Sequence, residues 1–272
     1  MRKKSIDDYS SRSLDILKDE LFTLFHGLGT FTDNLFLIGG LACDLLVKNK
    51  LPYLTEYLGT TDIDLAVRFV GKISPAPESL YKTLGELHFE RNKSEDGSVL
   101  MSHCYIKSGG GSRIEVDLIT DDRIPPVSDK LVEIAPRVEA VKFRGVYLVF
   151  EDYFVREIQR GDEVVGIKIP NICPFITLKA FAFNDGHDSK DAYDIWYVVS
   201  NFGEGPKSVL MELKKYSDNK EVKDALKIIE EMFADATSPG TGAVCDILTR
   251  RYNLERARAE NEVIMPFKQI FG

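Results

Sequence analysis

Residues 60–67 read TTDIDLAV, and this stretch decides how the first half of the chain is interpreted. Apolar and other side chains alternate strictly over residues 62–69. A period of two is typical of a β-strand, whose successive side chains point to opposite faces. Asp62 and Asp64 are therefore expected to share one face of a strand.

A glycine turn precedes this strand. Leu35–Ile38 is a short apolar run, Gly39 and Gly40 follow it, and helical spacing of apolar residues resumes at Leu41. The pattern predicts a strand, a tight turn and a helix. Glycine lets the backbone approach an anion closely, and the first N–H groups of a helix attract phosphate. Gly39 and Gly40 are therefore expected to contact a phosphate group.

A second pair of acids lies in a predicted hairpin. Residues 99–107 and 113–119 alternate as strands on either side of the turn sequence SGGGS. In the second strand Glu115 and Asp117 share a face. We expect Asp117 to lie near the DxD acids, with Glu115 as the less favoured substitute.

Asp62, Asp64 and Asp117 form the predicted metal site. Carboxylate oxygens are the ligands that Mg²⁺ prefers, and Mn²⁺ accepts the same set. The alternative is that the acids are simply the wet face of an antiparallel sheet. We favour the metal site, because like charges packed on neighbouring strands are destabilising unless a cation compensates them.

The remaining pattern predicts an α+β domain over residues 1–170 and a helical domain over 171–272, with a ligand cleft between them. An amphipathic helix over 14–28 opens the chain, and Pro170 and Pro174 mark the change in character. Further helices are predicted at 77–89, 175–184, 189–200, 206–216, 221–233 and 244–260. Further strands are predicted at 140–150, with a bend at Gly145, and at 164–169.

Composition limits the classes of function. Lysine plus arginine number 35 against 43 acids, which gives a net charge of −8 and argues against a protein that coats DNA. No apolar run approaches the roughly 18 residues of a membrane helix, and MRKKSIDDYSSRS lacks the apolar core of a signal peptide. We expect a cytoplasmic protein with no membrane contact. The four cysteines are widely spaced, which predicts no zinc motif or disulfide framework.

A second polar cluster follows the predicted boundary. Lys179 is the only charge within residues 174–184, so it must either extend to water or meet an anion, and we favour the anion. In the next predicted helix Lys190 and Asp194 lie four residues apart on the face opposite the apolar one, and Asp191 lies near the N-terminus. The alternative for this pair is a weak surface ion pair.

These motifs resemble a known family. GG followed by TDIDL and VDL resembles the polymerase-beta-like nucleotidyltransferase superfamily, and PFITLKAFAFNDGHDSKDAYDIWYVV resembles its AbiEii/AbiGii type. The similarity spans about residues 35–200. Two departures are visible: NDGHDS replaces the basic residue often found before KD, and KNKLPYLTEYLG is inserted between GG and DxD, where only a loop is expected to change.

The resemblance implies a fold, an activity and roles for residues. The fold would be a mixed sheet with flanking helices followed by a helical domain. Asp62 and Asp64 would bind the metal, Lys179 would bind phosphate, and Lys190 and Asp191 would lie near the nucleotide in the KDxxD motif. Asp191 would act as a base or a positioning acid.

The expected reaction is transfer of a nucleotide from a nucleoside triphosphate, such as ATP, to an acceptor hydroxyl. In this family the resemblance points to toxins of toxin–antitoxin or phage-defence systems, some of which modify RNA such as tRNA, so RNA and a cognate antitoxin are the expected partners. The arginines at 250, 251, 256 and 258 are a possible docking surface for RNA. The alternatives are a small-molecule nucleotidyltransferase of the antibiotic type and a catalytically silent nucleotide- or partner-binding module.

Overall fold

The computed structural model describes residues 11–47, 57–68, 78–93, 97, 100–109 and 112–272. These residues divide into two compact units. The first unit contains residues 11–42 and the described part of Leu58–Pro170, and the second contains Asn171–Gly272 together with residues 43–47 and Tyr57. The chain therefore passes from the first unit to the second after Pro170, but a short segment from its first quarter also belongs to the second.

The first unit is mixed α and β. Its helices are α1 (Ser11–Leu28), α2 (Gly39–Leu46, whose second half belongs to the other unit), α3 (Glu78–Glu86) and α4 (Tyr147–Glu151), and a 3₁₀ turn covers Gly29–Asn34. Its strands are β1 (Leu35–Ile38), β2 (Asp62–Val67), β3 (Glu90–Lys93), β4 (Leu100–Gly109), β5 (Ser112–Asp121), β6 (Leu131–Ala135), β7 (Val138–Phe143), β8 (Tyr153–Arg160) and β9 (Glu163–Pro170).

Seven of these strands form one mixed sheet around β5. The order runs β1-β2-β5-β4-β3, while β7 pairs with the end of β5 and β6 pairs with β7. Strand β5 is parallel to β2 and β7 and antiparallel to β4. Strands β8 and β9 form a separate antiparallel hairpin. The predicted α+β class with a mixed sheet is thus confirmed.

Helix α1 packs against α3 and against strand β9. The leucines that gave it helical spacing, Leu14, Leu17, Leu21, Leu24 and Leu28, are all buried. Burying an aliphatic side chain contributes about 1.5–3 kcal/mol, so this stripe stabilises the helix far more than its intrinsic propensity does. The predicted amphipathic helix is confirmed.

The predicted strand over 140–150, with a bend at Gly145, is confirmed over residues 140–143 and was wrong for the residues after Gly145. Strand β7 ends at Phe143, Gly145 has a φ of +84°, and the chain continues into α4. A positive φ breaks the extended conformation, and glycine adopts it without steric cost. Buried Val146, Leu148 and Val149 therefore belong to a short helix that an apolar run cannot distinguish from a strand.

The second unit is helical. It contains α5 (Ile172–Gly186), α6 (Ser189–Asn201), α7 (Pro206–Leu213) with a following 3₁₀ turn, α8 (Lys220–Met232), α9 (Pro239–Tyr252) and α10 (Arg256–Phe271). Helix α6 contacts α5, α7, α9 and α10, and its residues from Ala192 to Asn201 are all buried. None of the helices in the described ranges is both long enough and apolar enough to cross a bilayer.

The predicted single helix over 244–260 was also wrong. Asn253 adopts a left-handed conformation with a φ of +54° and separates α9 from α10. The arginine cluster is therefore divided between two helices. Arg256 pairs with Asp246 and Glu260, and Arg258 lies 3.6 Å from Glu262. The charges of Arg256 and Arg258 are thus locally compensated, which weakens the prediction of an RNA-docking patch.

Candidate functional site

The pairing of β2 with β5 brings four acids onto one face of the sheet. Asp64 is the register partner of Asp117, and Asp62 is the partner of Glu115. Register partners on adjacent strands project from the same side. The opposite side carries buried Ile63, Leu65, Val116 and Leu118, which fixes the register because a slip of one residue would bury the acids.

The acids on this face differ in exposure. Asp117 retains 5% of its accessible surface, whereas Asp62 and Asp64 are half-buried. Thr60, itself buried, donates a hydrogen bond of 2.6 Å from Oγ1 to Asp62 Oδ1. Asp62 is therefore oriented by a neighbour two residues away.

Gly39 lies directly against the Asp64 carboxylate. Antiparallel pairing of β1 with β2 places Ile38 beside Asp64, so the next residue, the first of α2, meets that side chain. Gly39 has a φ of +69°, and a Cβ at this position would lie 2.7 Å from Asp64 Cγ. Gly40 is buried in the first turn of α2. The Asp64 carboxylate thus occupies the position that a side chain at residue 39 would need.

Gly39→Ala is expected to lower the free energy of unfolding by about 1–3 kcal/mol, the usual cost of a non-glycine residue in a strained conformation. It should also displace the Asp64 carboxylate. The matched control is Gly85→Ala within α3, where a Cβ would meet nothing within 4 Å and φ is not positive. That change should stabilise the protein by up to about 1 kcal/mol. Urea denaturation of both variants is the measurement, and equal effects would contradict the role assigned to Gly39.

The side chains do not gather as the sequence predicted. Among the described residues, the triplet of potential metal-ligand atoms lying within 4.8 Å of one another is Cys104, Glu115 and Asp117. Asp117 is a member of this triplet, but Asp62 and Asp64 are not. Backbone register aligns the three aspartates along two strands, whereas the rotamer of Asp117 joins it to Glu115 and to a thiol on β4. Glu115, the less favoured candidate, is thus a member of the close triplet.

Cys104 occupies this position because β4 and β5 form a hairpin in which Cys104 is the partner of Asp117. Its Sγ donates to Glu115 Oε1 at 3.1 Å, and Asn92 Nδ2 lies 3.4 Å from the same sulfur. Burial and the charge of Asp117 raise the pKa of the Cys104 thiol, so the thiol is protonated. Sequence analysis missed Cys104 because the cysteine spacing carries no motif.

The chemistry of the donors on the acidic face suits a hard divalent cation, although the carboxylates of Asp62 and Asp64 lie outside the close triplet. Asp62, Asp64 and Asp117 supply only carboxylate oxygens from two hydrogen-bonded strands, which is the donor set that Mg²⁺ or Mn²⁺ takes. These three aspartates would be the residues that hold such an ion.

A second cluster lies in the helical unit, and it is an ion-pair network. Lys179 on α5 donates to Asp191 Oδ1 at 2.7 Å and lies 2.9 Å from Asp194 Oδ2. Lys190 donates to Asp194 Oδ1 and to the hydroxyl of Tyr57, which in turn donates to Asp194 Oδ1 at 2.7 Å. Two lysines and two aspartates thus neutralise one another and join α5 to α6.

Burial and charge act in opposite directions on this network. Burial disfavours ionised Asp194, but Lys179 and Lys190 outweigh it, and the pKa of Asp194 is lowered from 3.8. Burial likewise disfavours charged Lys179, but Asp191 and Asp194 raise its pKa well above 10.5. For Asp191 burial prevails over Lys179, so its pKa is raised. Asp194 is thus the firmly ionised centre of the network.

Asp194 should make stability depend on pH in the acid range. Because its pKa is lower in the folded state than the ordinary value of 3.8, its contribution is present above that value and is lost as pH falls through the folded value. The measurement is the difference in free energy of unfolding between wild type and Asp194→Asn, from urea titrations at successive pH values. The difference should be constant near neutrality and shrink as pH approaches and passes below 3.8. A difference that stays constant throughout would contradict the ionised state of Asp194.

The alternative interpretation of Lys190 and Asp194 as a surface ion pair was wrong, because the pair forms but is buried. Lys190 retains 8% of its accessible surface and Asp194 none, because other helices cover the face of α6 that the periodicity assigned to solvent. Lys179 does meet anions, but these are the carboxylates of Asp191 and Asp194. Contacts of Lys179 and Lys190 with a nucleotide, and a catalytic role for Asp191, stay predictions.

Tyr57 is the residue of this network that sequence reasoning missed. It belongs to KNKLPYLTEYLG, which was interpreted as a loop insertion, and residues 48–56 of that segment lie outside the described ranges. Tyr57, Leu58 and Gly59 are buried. The described residues of the insertion, 57–59, lie in no helix or strand, as a loop requires, but they are buried.

Comparison with known proteins adds no relative: no protein-family model matches this chain, and no curated protein matches it.

Proposed function

We propose that this chain is a metal-dependent nucleotidyltransferase of the polymerase-beta-like type, which transfers a nucleotide from a nucleoside triphosphate to a hydroxyl group. RNA, in particular tRNA, is the proposed acceptor, and a toxin within a toxin–antitoxin or phage-defence pair is the proposed biological role. The TDIDL, VDL and KDxxD resemblance supports both statements.

One observation carries the proposal. Asp64 and Asp117 are register partners on parallel strands, and the first residue of α2 is a glycine whose backbone lies directly against the Asp64 carboxylate, which occupies the position that a side chain would take. A solvent-facing row of acids has no need of a glycine with a positive φ at that point. The N-terminus of α2 attracts an anion, and the paired carboxylates attract a metal ion. Together they suit a triphosphate with its bound metal.

The proposed reaction is a substitution at the α-phosphorus. The acceptor oxygen forms a bond to phosphorus, the bond from phosphorus to the oxygen bridging to the β-phosphate breaks, and pyrophosphate leaves with the electron pair. The hydroxyl proton passes to a carboxylate, for which Asp117 and Asp191 are the candidates. Mg²⁺ bound at the acidic face would supply stabilisation of the charge on the phosphates. The chain's own contribution is positioning: β2 and β5 fix the acids, and α2 directs its N–H groups.

The test is a transfer assay. Purified protein is incubated with Mg²⁺ or Mn²⁺, each α-labelled nucleoside triphosphate, and total tRNA. Label should appear on RNA only with metal present, and should disappear when EDTA is added. A γ-labelled triphosphate serves as the control, because it should release label as pyrophosphate and leave none on RNA.

The second candidate is transfer to a small molecule of the antibiotic or metabolite type. The net charge of −8 and the paired state of Arg256 and Arg258 favour it, because both reduce attraction to a polyanionic acceptor. Adding pooled aminoglycosides and other hydroxyl-bearing metabolites to the same assay separates the two acceptors. Label on neither, with unchanged binding of triphosphate in the Asp64→Ala variant, would favour a silent binding module.

A further inference from the structure

The triplet of Cys104, Glu115 and Asp117 combines a sulfur with two carboxylates. Their ligand atoms all lie within 4.8 Å of one another. Cys104 and Asp117 are buried and Glu115 is half-buried. Zn²⁺ takes thiolate sulfur at about 2.3 Å and carboxylate oxygen at about 2.0–2.2 Å, so small rotamer changes bring these atoms to a common ion.

The backbone holds this triplet rigidly. Glu115 and Asp117 lie on one face of β5, and Cys104 lies beside Asp117 on β4. Asn92 donates from Nδ2 toward both Cys104 Sγ and Glu115 Oε1, at 3.4 and 3.3 Å. Arg113 donates to Asn92 Oδ1 at 3.1 Å, which fixes the orientation of the amide. Such outer groups are what orient the ligands of a metal site.

Charge favours a cation at this place. Glu115 and Asp117 border the thiol, and Asp62 and Asp64 lie one strand further away as the register partners of those two acids. Neighbouring carboxylates create a negative potential that concentrates cations. The sulfur decides which cation binds, because Mg²⁺ requires oxygen ligands whereas Zn²⁺ accepts sulfur, nitrogen and oxygen.

We propose that Cys104, Glu115 and Asp117 form a binding site for a thiophilic divalent cation of the Zn²⁺ class, distinct from the Mg²⁺ set of Asp62, Asp64 and Asp117. On binding, the S–H bond of Cys104 breaks, a sulfur–metal bond forms and the proton goes to solvent. Three protein ligands leave a fourth position of the tetrahedron for water.

The two sites share Asp117. Occupancy by Zn²⁺ therefore withdraws Asp117 from the other set, so micromolar Zn²⁺ is expected to inhibit nucleotide transfer. This consequence rests on the proposed function, whereas the binding of the cation does not.

The test uses Co²⁺ as a spectroscopic substitute for Zn²⁺. The metal-free, full-length protein is titrated with Co²⁺, and thiolate coordination is followed as a sulfur-to-cobalt charge-transfer band in the near ultraviolet. The band should saturate at one equivalent, disappear when Zn²⁺ is added, and be absent in Cys104→Ser. The matched control is Cys245→Ser, which alters another fully buried cysteine and should keep the band.

A second variant is needed because misfolding of Cys104→Ser would also remove the band. Glu115→Gln keeps the size of the side chain and removes the charge, and it should weaken Co²⁺ binding by at least about tenfold. No band in the wild-type protein, or a band unchanged in Cys104→Ser or in Glu115→Gln, would overturn the site. A band in a protein that transfers no nucleotide would refute the proposed function and leave the cation site standing.

Discussion

Replacing Asp64 by asparagine should abolish nucleotide transfer and leave the protein at least as stable as the wild type. Asp64 faces Asp117 across paired strands and Gly39 across the start of α2, so it occupies the centre of the proposed metal set. Loss of one charged ligand removes several kcal/mol of charge stabilisation, which at about 1.4 kcal/mol per tenfold corresponds to a rate at least about a thousandfold lower. The measurement is the initial rate of label transfer under saturating Mg²⁺.

The stability part of this prediction separates a functional role from a structural one. Like charges on directly opposed strand positions are destabilising, so neutralising Asp64 should raise the free energy of unfolding by up to about 1 kcal/mol. Asp162→Asn, in the exposed turn between β8 and β9, is the control. It should alter neither the rate of nucleotide transfer nor the free energy of unfolding. Near-normal transfer by Asp64→Asn would remove the basis of the enzymatic proposal. Loss of both activity and stability would instead indicate that Asp64 holds the fold together.

Asp194→Ala should destabilise the protein by about 3–5 kcal/mol, the usual cost of removing one partner from a buried ion pair. Asp194 is fully buried and contacts Lys179, Lys190 and Tyr57, so its removal leaves two ammonium groups in the interior. The loss in free energy of unfolding is measured by urea or thermal denaturation of the purified variant and the wild type.

A matched pair elsewhere in the chain provides the comparison. Lys220 and Asp224 have the same i, i+4 spacing on α8 as Lys190 and Asp194 on α6, but the Lys220 side chain is 77% exposed. Asp224→Ala should cost no more than about 0.5 kcal/mol, because water screens an exposed pair. Equal costs at the two positions would contradict the buried network. Replacing Lys179, Lys190, Asp191 and Asp194 together by apolar residues should recover part of the loss, because no buried charge of the network is then left without a partner.

The sequence anticipated the local elements that carry the acidic face. Alternation placed Asp62 and Asp64 on one side of β2 and Glu115 and Asp117 on one side of β5, and Gly39 and Gly40 correctly marked the turn into α2. The hairpin register was also within reach, since Cys104 and Asp117 lie at equal distances from the turn between Gly109 and Ser112. Only strand pairing indicates Cys104, because the spacing of the cysteines carries no motif.

Other errors had a common origin in burial. Periodicity assigned Lys190 and Asp194 to the solvent side of α6, but α6 lies at the centre of its helical unit and has no solvent side beyond Asp191. The spacing of polar residues along a helix indicates which face is expected to meet water. It does not show that polar groups from other elements pair with those residues in the interior. The apolar run after Gly145 was ambiguous for the same reason that any short run is: strand and helix bury similar residues.

What the sequence determined by itself was local: the strands and helices, the turn glycines and the side of each strand on which its acids lie. These follow from steric preferences and from the spacing of apolar residues within about ten positions of one another. The tertiary structure decided the partners, namely Asp64 with Asp117, Cys104 with Asp117, and Tyr57 with Asp194. Those contacts join residues far apart in the chain, and their energies depend on burial and charge that exist only once the units are packed.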